Sequence, residues 1–354
     1  MRRRSFLSLP LAATLPAAPP ESFTAIQGVC AWPNLQKLAD GTLVATIFNQ
    51  PCHGEWEGDL DCWASTDQGK TWRFRGRPAP HEPATNRMNC AVGPARNGDL
   101  VVLVSGWTNR NPKGQPSSPL TGQILRPWIC RSSDGARTWA HAGRFPDPPP
   151  VGPGIDNQFV PFGNIETAAD GSLCVSAYTR KDHTRNCCLL RSRDDGRTWG
   201  QIVELNPIGN ETAILHLGGG RWLAASRMFE RPGDAHHIEL FASEDDAKTW
   251  RRRGPLTLPG QITGHLTALP DGRVLLTYGN RNTGNFGVDA RLSADAGGTW
   301  GAPFRIANTP FSDCGYPASV VLGNEAVTVY YTRVSQGYFY EMRTVRWELP
   351  RKTA

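Results

Sequence analysis

The chain carries the eight-residue phrase Ser65-Thr66-Asp67-Gln68-Gly69-Lys70-Thr71-Trp72 and repeats its pattern four more times. The later copies occupy residues 132–139, 192–199, 243–250 and 293–300. They keep S-x-D-x-G-x-T-W, except that alanine replaces the glycine in the second and fourth copies. Successive tryptophans of the phrase lie 67, 60, 51 and 50 residues apart. This period is typical of repeat architectures of the propeller kind.

The residue types of this Asp phrase favour a tight hairpin turn. An Asp carboxylate accepts backbone N–H groups of its own turn, and glycine adopts a positive φ without steric penalty. The large apolar surface of tryptophan favours packing against the sheet. We therefore expect the five aspartates of the phrase to serve the scaffold, with function placed on other loops.

Six further turn signals lie between β-rich runs, and each predicts a hairpin. They are Asp40-Gly41, Asn97-Gly98, Asp170-Gly171, Gly219-Gly220, Asp271-Gly272 and Gly323-Asn324. Six hairpins and five Asp phrases predict an all-β fold, a six-bladed β-propeller within a single domain over residues 21–354. The sixth repeat ends without the phrase, and an uncovered sheet edge promotes aggregation. We expect the segment Phe23 to Val29 to supply the missing outer strand.

The first 20 residues have the features of an export signal. Three arginines precede a short apolar stretch, and Arg3-Arg4-Ser5-Phe6-Leu7 fits the twin-arginine pattern. The alternative is a disordered basic arm. Export implies a periplasmic or extracellular protein. Losing these arginines lowers the formal charge from +6 to about +3, which is too weak to indicate nucleic-acid binding. No apolar run approaches the roughly 20 residues that span a bilayer.

Nine cysteines are present, an odd number for an exported protein, and none forms a CxxC pair or a zinc pattern. Cys52 and Cys62 could form a disulfide across their loop. Cys187 and Cys188 are neighbours in a predicted strand, so their side chains should point to opposite faces. Adjacent histidines chelate metals poorly, so we expect His236-His237 to lie in a solvated loop. No metal, nucleotide or other cofactor is indicated.

Aligning the repeats places polar residues at equivalent strand ends. The start of a first strand and the end of the next lie on one face of a propeller, because both flank the hairpin. The second strands end near Gln50, Trp107, Arg180, Arg227, Arg281 and Arg333. The first strands begin near Asn34, Arg87, Asn164, Glu211, His265 and Tyr316. Converging guanidinium groups suit a carboxylate or phosphate ligand.

The Asp phrase on a six-bladed plan resembles the sialidase (neuraminidase) superfamily over roughly residues 25–348. Asn210-Glu211-Thr212 followed by Ser226-Arg227 is similar to the fourth sialidase blade. There a glutamate opens the first strand and a ligand-holding arginine closes the second. Arg281 lies where the next such arginine is expected. Asp313-Cys314-Gly315-Tyr316-Pro317 resembles the segment that bears the nucleophilic tyrosine.

The resemblance implies a retaining exo-glycosidase acting on sialic acid or a related acidic sugar. A carboxylate nucleophile would be repelled by the carboxylate on the anomeric carbon, and sialidases use tyrosine instead. Tyr316 would then be the nucleophile, with Glu211 as the base that takes its proton. Arg227 and Arg281 would bind the substrate carboxylate.

Two parts of the sialidase pattern differ here. The Arg-Ile-Pro motif of the first strand is replaced by Ala31-Trp32-Pro33. By their positions at equivalent strand ends, Arg87, Arg180 and Arg333 are the candidates for the third guanidinium. In sialidases the acid is an Asp on the loop after the first hairpin, and the corresponding loop here is residues 52–59. Glu55 lies nearest its place, and Asp59 is the next choice.

Two other classes of function remain open. One is a hydrolase or lyase of different specificity on the same propeller, using His265 or another histidine near the mouth. The other is a non-catalytic propeller that binds glycans or proteins. Fold-level likeness does not decide between them. The expected partner is a carbohydrate with a carboxylate, and nothing in the sequence indicates the oligomeric state.

Overall fold

A computed structural model describes residues 20–110, 114–115, 122–148, 158–181, 184–229, 231, 233–337 and 339–352. The side chains of residues 180, 181, 184 and 185 are outside this description, as is nearly all of the predicted export segment at 1–20. The described residues form 24 β-strands. No helix that is long and apolar enough to cross a bilayer occurs among these residues.

Strand β1 (Ser22–Gln27) precedes the first of six four-stranded blades. Blade 1 consists of β2 (Cys30–Lys37), β3 (Leu43–Phe48), β4 (Leu60–Ser65) and β5 (Arg73–Ala79). Blade 2 consists of β6 (Asn89–Pro94), β7 (Leu100–Trp107), β8 (Ile124–Ser132) and β9 (Ala140–Arg144). Blade 3 consists of β10 (Val160–Thr167), β11 (Leu173–Lys181), β12 (Thr184–Ser192) and β13 (Gly200–Asn206).

The second half of the chain repeats this arrangement. Blade 4 consists of β14 (Thr212–Gly218), β15 (Arg221–Met228), β16 (His237–Ser243) and β17 (Arg251–Pro255). Blade 5 consists of β18 (Gln261–Ala268), β19 (Val274–Asn280), β20 (Gly287–Ser293) and β21 (Phe304–Asn308). Blade 6 consists of β22 (Cys314–Leu322), β23 (Glu325–Arg333), β24 (Tyr340–Glu348) and β1.

The blades close into a ring around their innermost strands. Strands β2, β6, β10, β14, β18 and β22 contact one another in that order, and β22 returns to β2. Blades 2 and 3 also share a short parallel pairing of β6 with β10. Strand β1 pairs antiparallel with β24, from Ser22 opposite Val345 to Gln27 opposite Glu341. The predicted six-bladed propeller and its closure by the N-terminal strand are therefore confirmed.

The Asp phrases form the turns that the sequence predicts. In the first copy, Asp67 accepts hydrogen bonds from Thr71 N at 2.9 Å and Thr71 Oγ1 at 2.6 Å. Trp72 Nε1 donates to the Gly69 carbonyl at 3.1 Å. The other four copies make the same Asp–Thr bonds. In the fifth copy, bonds from Thr299 lower the pKa of Asp295 to about 2. These carboxylates brace turns, as expected.

Four innermost strands carry an irregularity that points residues at the central channel. The register of β2, β10, β18 and β22 shifts at a bulge. A residue with positive φ occupies each bulge, namely Trp32 (56°), Gly163 (75°), Thr263 (58°) and Tyr316 (49°). All four line one small cavity. Bulges re-aim side chains, and positive φ at non-glycine residues often marks functional sites.

All nine cysteines are free and buried. The possible Cys52–Cys62 disulfide is not formed, because the two side chains belong to different apolar clusters, with Cys62 between blades 1 and 2 and Cys52 beneath the mouth of the channel. Cys187 and Cys188 also lie in different clusters, which confirms that they point to opposite faces of β12.

Candidate active site

The centre of the site is a hydrogen bond between a tyrosine and a glutamate from different blades. Tyr316 lies in β22 of blade 6, and Glu211 lies immediately before β14 of blade 4. Tyr316 Oη–H donates to Glu211 Oε1 at 2.7 Å, and both residues are buried. Glu211 is therefore in position to take the proton of the phenol.

Arg227 completes this pair from the end of the neighbouring strand β15. Its Nη1 donates to Glu211 Oε2 at 2.5 Å and to Tyr316 Oη at 2.8 Å. One guanidinium thus holds both the carboxylate and the phenolic oxygen. A positive charge at this place stabilises a negative charge that develops on either oxygen.

His236 lies behind Arg227, a contact that the repeat pattern did not predict. Arg227 Nε donates to His236 Nδ1 at 2.7 Å, so that nitrogen carries no proton. The His236 ring stacks on Phe229 with centroids 4.9 Å apart. His237 pairs with Glu239 at 3.1 Å. The expectation that His236-His237 lies in a solvated loop is wrong, because both side chains are half-buried in contacts.

Arg281, directly after β19 of blade 5, is a second guanidinium close to Tyr316. Its guanidinium carbon lies 5.8 Å from the centroid of the Tyr316 ring. Arg281 Nη2 donates to Tyr331 Oη at 2.7 Å, and Nε donates to the Cys314 carbonyl at 3.1 Å. Arg227 and Arg281 therefore both approach one tyrosine, each from a different blade.

Asp313 lies next to Arg281, at the start of blade 6. It accepts hydrogen bonds from Tyr331 Oη at 2.7 Å and from Tyr340 Oη at 2.5 Å. Arg281 Nη2 lies 3.8 Å from Asp313 Oδ1, and His53 Nε2 lies 3.3 Å from Oδ2. The second arginine of the site thus already has a carboxylate beside it.

The electrostatics of the site follow from these contacts. Burial, and then the charge of Glu211, raise the pKa of Tyr316 well above its usual value, so the phenol is protonated at neutral pH. Burial would also raise the pKa of Asp313, but His53, Arg281 and Tyr340 outweigh it and hold that pKa well below its usual range. The tyrosine needs a base to react, whereas Asp313 is a permanent carboxylate.

Aromatic rings form one wall of the site. The Trp32 ring lies 5.5 Å from Tyr316 and 5.9 Å from His53, centroid to centroid. The Tyr331 ring lies 5.8 Å from Tyr316 and 5.6 Å from His53. Apolar ring faces with a few polar groups are typical of sites that bind small organic molecules.

Neither acid candidate from the sequence joins this cluster. Glu55 is exposed on the loop between β3 and β4, and no hydrogen bond connects it to Tyr316. Asp59 is buried at the end of that loop, paired with Arg77 at 2.8 Å and with His81 Nδ1 at 2.6 Å. Burial would raise the pKa of Asp59, but His81 and Arg77 lower it. The structure therefore places Asp59 in an ion-paired cluster with Arg77 and His81 and not beside Tyr316.

Arg87 does not supply the missing third guanidinium. Its side chain is buried and forms an ion pair with Glu82 at 2.9 Å. Its guanidinium carbon lies 4.0 Å from the centroid of the Trp128 ring. The next residue, Met88, packs in the apolar cluster that contains Tyr316. Alternation along the chain therefore turns Arg87 away from the site.

Two further arginines were candidates. Arg333 ends β23, where its Nε donates to the Ser335 carbonyl at 2.8 Å and its guanidinium lies over Phe311 at 5.4 Å. These contacts do not include Tyr316, Arg227 or Arg281, so the structure does not bring Arg333 together with those residues. Arg180 ends β11 as predicted, but its side chain lies outside the described residues.

His265 lies deeper in the channel, on β18. Its Nδ1 is within 3.2 Å of Thr267 Oγ1 and 3.4 Å of the Ser319 N–H. Burial lowers the pKa of His265 to about 4, which keeps it neutral near pH 7. Among the described residues, no group of three or more His, Cys, Asp or Glu side chains is arranged to hold a metal ion.

Comparison with solved structures identifies the fold. A protein of unknown function from Dyadobacter fermentans is 21% identical, with a TM-score of 0.77 over 94% of this chain and 99% of that one. A variant of the NanB sialidase from Streptococcus pneumoniae is 13% identical, with a TM-score of 0.70 over 95% and 72%. An α-L-arabinanase from Penicillium chrysogenum is 16% identical, with a TM-score of 0.64 over 93% and 99%.

These identities are low, so the likeness establishes a shared sialidase-like propeller and leaves specificity open. No curated protein matches the chain. Residues 41–329 match the BNR repeat-like domain, and this span includes the five Asp phrases together with Glu211, Arg227, Arg281 and Tyr316. The chain belongs to the BNR repeat-like domain family.

Proposed function

We propose that the protein is a retaining exo-glycosidase of sialidase type, with Tyr316 as its nucleophile. The observation that carries this proposal is the 2.7 Å hydrogen bond from Tyr316 Oη to Glu211 Oε1. A buried phenol with a raised pKa reacts only when a base removes its proton. Glu211 is the group placed to do so, and Arg227 contacts both oxygens.

The first half of the reaction uses these residues in fixed roles. Tyr316 Oη attacks the anomeric carbon while its proton passes to Glu211. The bond from that carbon to the leaving oxygen breaks, and the electron pair goes to the oxygen. In the second half, water attacks the same carbon and releases a proton, which balances the proton that the first leaving oxygen takes up. The tyrosyl oxygen leaves, and Glu211 returns the proton to it. Two displacements at one carbon retain the configuration.

The charges at the mouth support an acidic sugar as substrate. Arg227 and Arg281 both lie close to Tyr316, and planar guanidinium groups suit carboxylates. The sugar would place its carboxylate between these two groups and its anomeric carbon above the tyrosine. Sialic acid, or a related sugar with a carboxylate on or near the anomeric carbon, meets this description.

One observation favours a second candidate, a neutral sugar. Asp313 lies 3.8 Å from Arg281, and Glu211 lies 2.5 Å from Arg227, so each guanidinium already has a carboxylate near it. Because the two positive charges are already paired with carboxylates, they attract an anionic ligand less strongly. The likeness to an arabinanase structure is compatible with a neutral substrate.

The test is hydrolysis of fluorogenic glycosides by wild-type protein, Tyr316→Phe and Glu211→Gln. Tyr278→Phe and Glu204→Gln are matched controls, since Tyr278 is buried in β19 and Glu204 is exposed on β13. We expect wild type to release the fluorophore from the sialic acid glycoside. Each site variant should lose about 10²-fold or more in kcat, as removal of a nucleophile or base requires.

Three other results would contradict the proposed sialidase-type activity. Turnover only of a neutral glycoside, such as an arabinoside, would favour the second candidate. Binding of sialic acid without turnover of any glycoside would leave a lectin-like propeller. Full activity in Tyr316→Phe would refute the nucleophile.

We also propose that the protein is exported. The support is the twin-arginine pattern at Arg3-Arg4, which lies outside the described residues. Replacing both arginines with lysine should leave the full-length precursor in the cytoplasm. Unchanged release of the processed protein would contradict the proposal.

A further inference from the structure

The structure assigns the role of proton donor to His53, held in place by Asp313. This inference rests on the proposed function, because a glycosidase needs an acid for its leaving group. The candidates from the sequence, Glu55 and Asp59, do not contact the tyrosine and its partners. His53 comes from the same loop as both of them.

The loop between β3 and β4 is fixed so that His53 lies over blade 6. The carbonyl of Gly54, the next residue, accepts hydrogen bonds from Asn86 Nδ2 at 2.9 Å and from Asn109 Nδ2. These contacts attach the loop to blade 2. On the other side, His53 Nε2 lies 3.3 Å from Asp313 Oδ2 in blade 6. The histidine is therefore held between two blades across the mouth of the channel.

His53 and Tyr316 share the same aromatic wall. Both rings pack against Trp32, at 5.9 and 5.5 Å, and both pack against Tyr331, at 5.6 and 5.8 Å. A sugar seated on Tyr316 would have its leaving group beside this wall. The His53 side chain is 29% exposed, so one edge of its ring is open to a ligand.

Asp313 determines which nitrogen of His53 can act. Its carboxylate is a permanent acceptor, because His53, Arg281 and Tyr340 hold its pKa low against the effect of burial. Nε2 is buried and lies 3.3 Å from Asp313 Oδ2, so we assign Nδ1 as the nitrogen that meets a substrate. A carboxylate that orients a histidine in this manner is a common device in acid–base catalysis.

Several charged or titratable groups face the His53 ring. Asp313, Tyr331 and Tyr340 belong to blade 6, and Arg281 lies behind Asp313. Cys52 and Glu55 flank His53 in its own loop. Asp313 is the charged group that lies within 4 Å of His53. His236 differs, because its Nδ1 accepts from Arg227 and cannot carry a proton there.

The proposed step is balanced. As Tyr316 Oη bonds to the anomeric carbon, the Nδ1 proton of the His53 imidazolium moves to the departing glycosidic oxygen, which leaves as an alcohol. Neutral His53 then removes a proton from the attacking water and regains its charge. Asp313 keeps its charge throughout. No oxidant, metal or cofactor takes part in this step.

The experiment compares two substrates that differ only in their leaving group. An aryl glycoside of sialic acid leaves without protonation, whereas a sialyl galactoside must be protonated as it leaves. For His53→Gln, kcat/KM on the galactoside should fall by about 10²–10⁴-fold, the usual contribution of an acid. On the aryl glycoside it should fall by less than about 10-fold.

A second measurement excludes a merely structural effect. With the aryl glycoside, His53→Gln should release a burst of one phenol per enzyme and then turn over slowly, because no base activates water. Added azide should speed the slow phase and yield the glycosyl azide. His53→Asn should behave in the same way. For Asp313→Asn, kcat/KM on the galactoside should fall less than for His53→Gln. The basic limb of its pH–rate profile should shift, because Asp313 positions His53.

The control is His141→Gln, an exposed histidine in blade 2 whose ring centroid lies 4.4 Å from that of Trp128. It should match wild type on both substrates. Equal losses on both substrates in His53→Gln, or no loss on either, would overturn the inference while leaving the proposed function intact. If wild-type protein hydrolyses neither glycoside, the proposed function fails and this inference fails with it.

Discussion

Gly315 approaches Gly279 so closely that a Cβ on Gly315 would lie 2.8 Å from the Gly279 Cα. Gly315 also has a φ of 106°, which L-residues with side chains rarely adopt. It directly precedes Tyr316 and lies at the contact between blades 5 and 6. The position of the tyrosine therefore depends on two glycines that allow the blades to meet.

We expect Gly315→Ala to displace Tyr316 and to lower stability. The strained backbone should destabilise the fold by about 1–3 kcal/mol. Displacement of the nucleophile by about 1 Å should reduce kcat by about 10²-fold. The measurements are thermal unfolding and kcat on the aryl glycoside.

Gly323→Ala is the matched control for this substitution. Gly323 has a φ of 66°, but a Cβ there would meet no atom within 4 Å. It should lose stability through the same backbone strain and keep full kcat. Equal activity in both variants would show that the Gly279–Gly315 contact does not position Tyr316.

Arg281→Lys tests recognition of the substrate carboxylate. A lysine cannot bridge the Cys314 carbonyl, Tyr331 Oη and a substrate carboxylate with one planar group. Loss of one charge-assisted hydrogen bond should raise KM by about 10–100-fold. The preference for the acid over its methyl ester should fall by a similar factor. Arg333→Lys, which changes an arginine outside the cluster, should alter neither quantity.

Glu166 gives a prediction for stability against pH. It lines the channel below the site, where burial raises its pKa from 4.5 to about 7. Between these values the folded state keeps a proton that the unfolded state has released, so the free energy of unfolding falls as pH rises through this window. At pH 8, Glu166→Gln should be more stable than wild type by about 1–3 kcal/mol.

At pH 4 both forms hold a neutral side chain, and the difference between them should disappear. Glu348→Gln changes an exposed residue at the end of β24 and should give no such pH-dependent gain. Denaturant titrations at the two pH values measure the effect. The compared quantity is the free energy of unfolding of Glu166→Gln minus that of wild type. A lower value of this difference at pH 8 than at pH 4 would contradict the account.

The buried thiols give a chemical prediction. All nine cysteines are free and buried, so none should react with a thiol reagent in the native protein. All nine should react once denaturant unfolds the chain without added reductant. Reductant should leave the melting temperature unchanged. Seven reactive thiols after unfolding would indicate one disulfide and contradict the structure.

The fold was predictable because its signals are local. Each Asp phrase satisfies its own turn, as the bonds between Asp67 and Thr71 show, and each hairpin turn needs only two residues. The closing strand could be anticipated from an unfilled sheet edge. The bulges at Trp32 and Tyr316 could not, because neither residue type favours a positive φ.

The candidate site was predictable only where a residue's place in the repeat also fixed its direction. Glu211 and Tyr316 meet because equivalent strand ends converge on one mouth. Arg87 lies outside this cluster, because an offset of one residue turns a side chain to the other face. His53 was missed because it lies on an aperiodic loop, placed by Asn86 and Asp313 from other blades.

The most direct test of the central claim is capture of the glycosyl–enzyme intermediate. A sialosyl fluoride with a second fluorine at C3 reacts in the first step, because fluoride leaves readily, and then hydrolyses slowly. Digestion and mass spectrometry of the trapped protein should place one sugar on the peptide that contains Tyr316, and Tyr316→Phe should remain unlabelled. A sugar attached to any other residue, or full turnover of this reagent by Tyr316→Phe, would contradict the account.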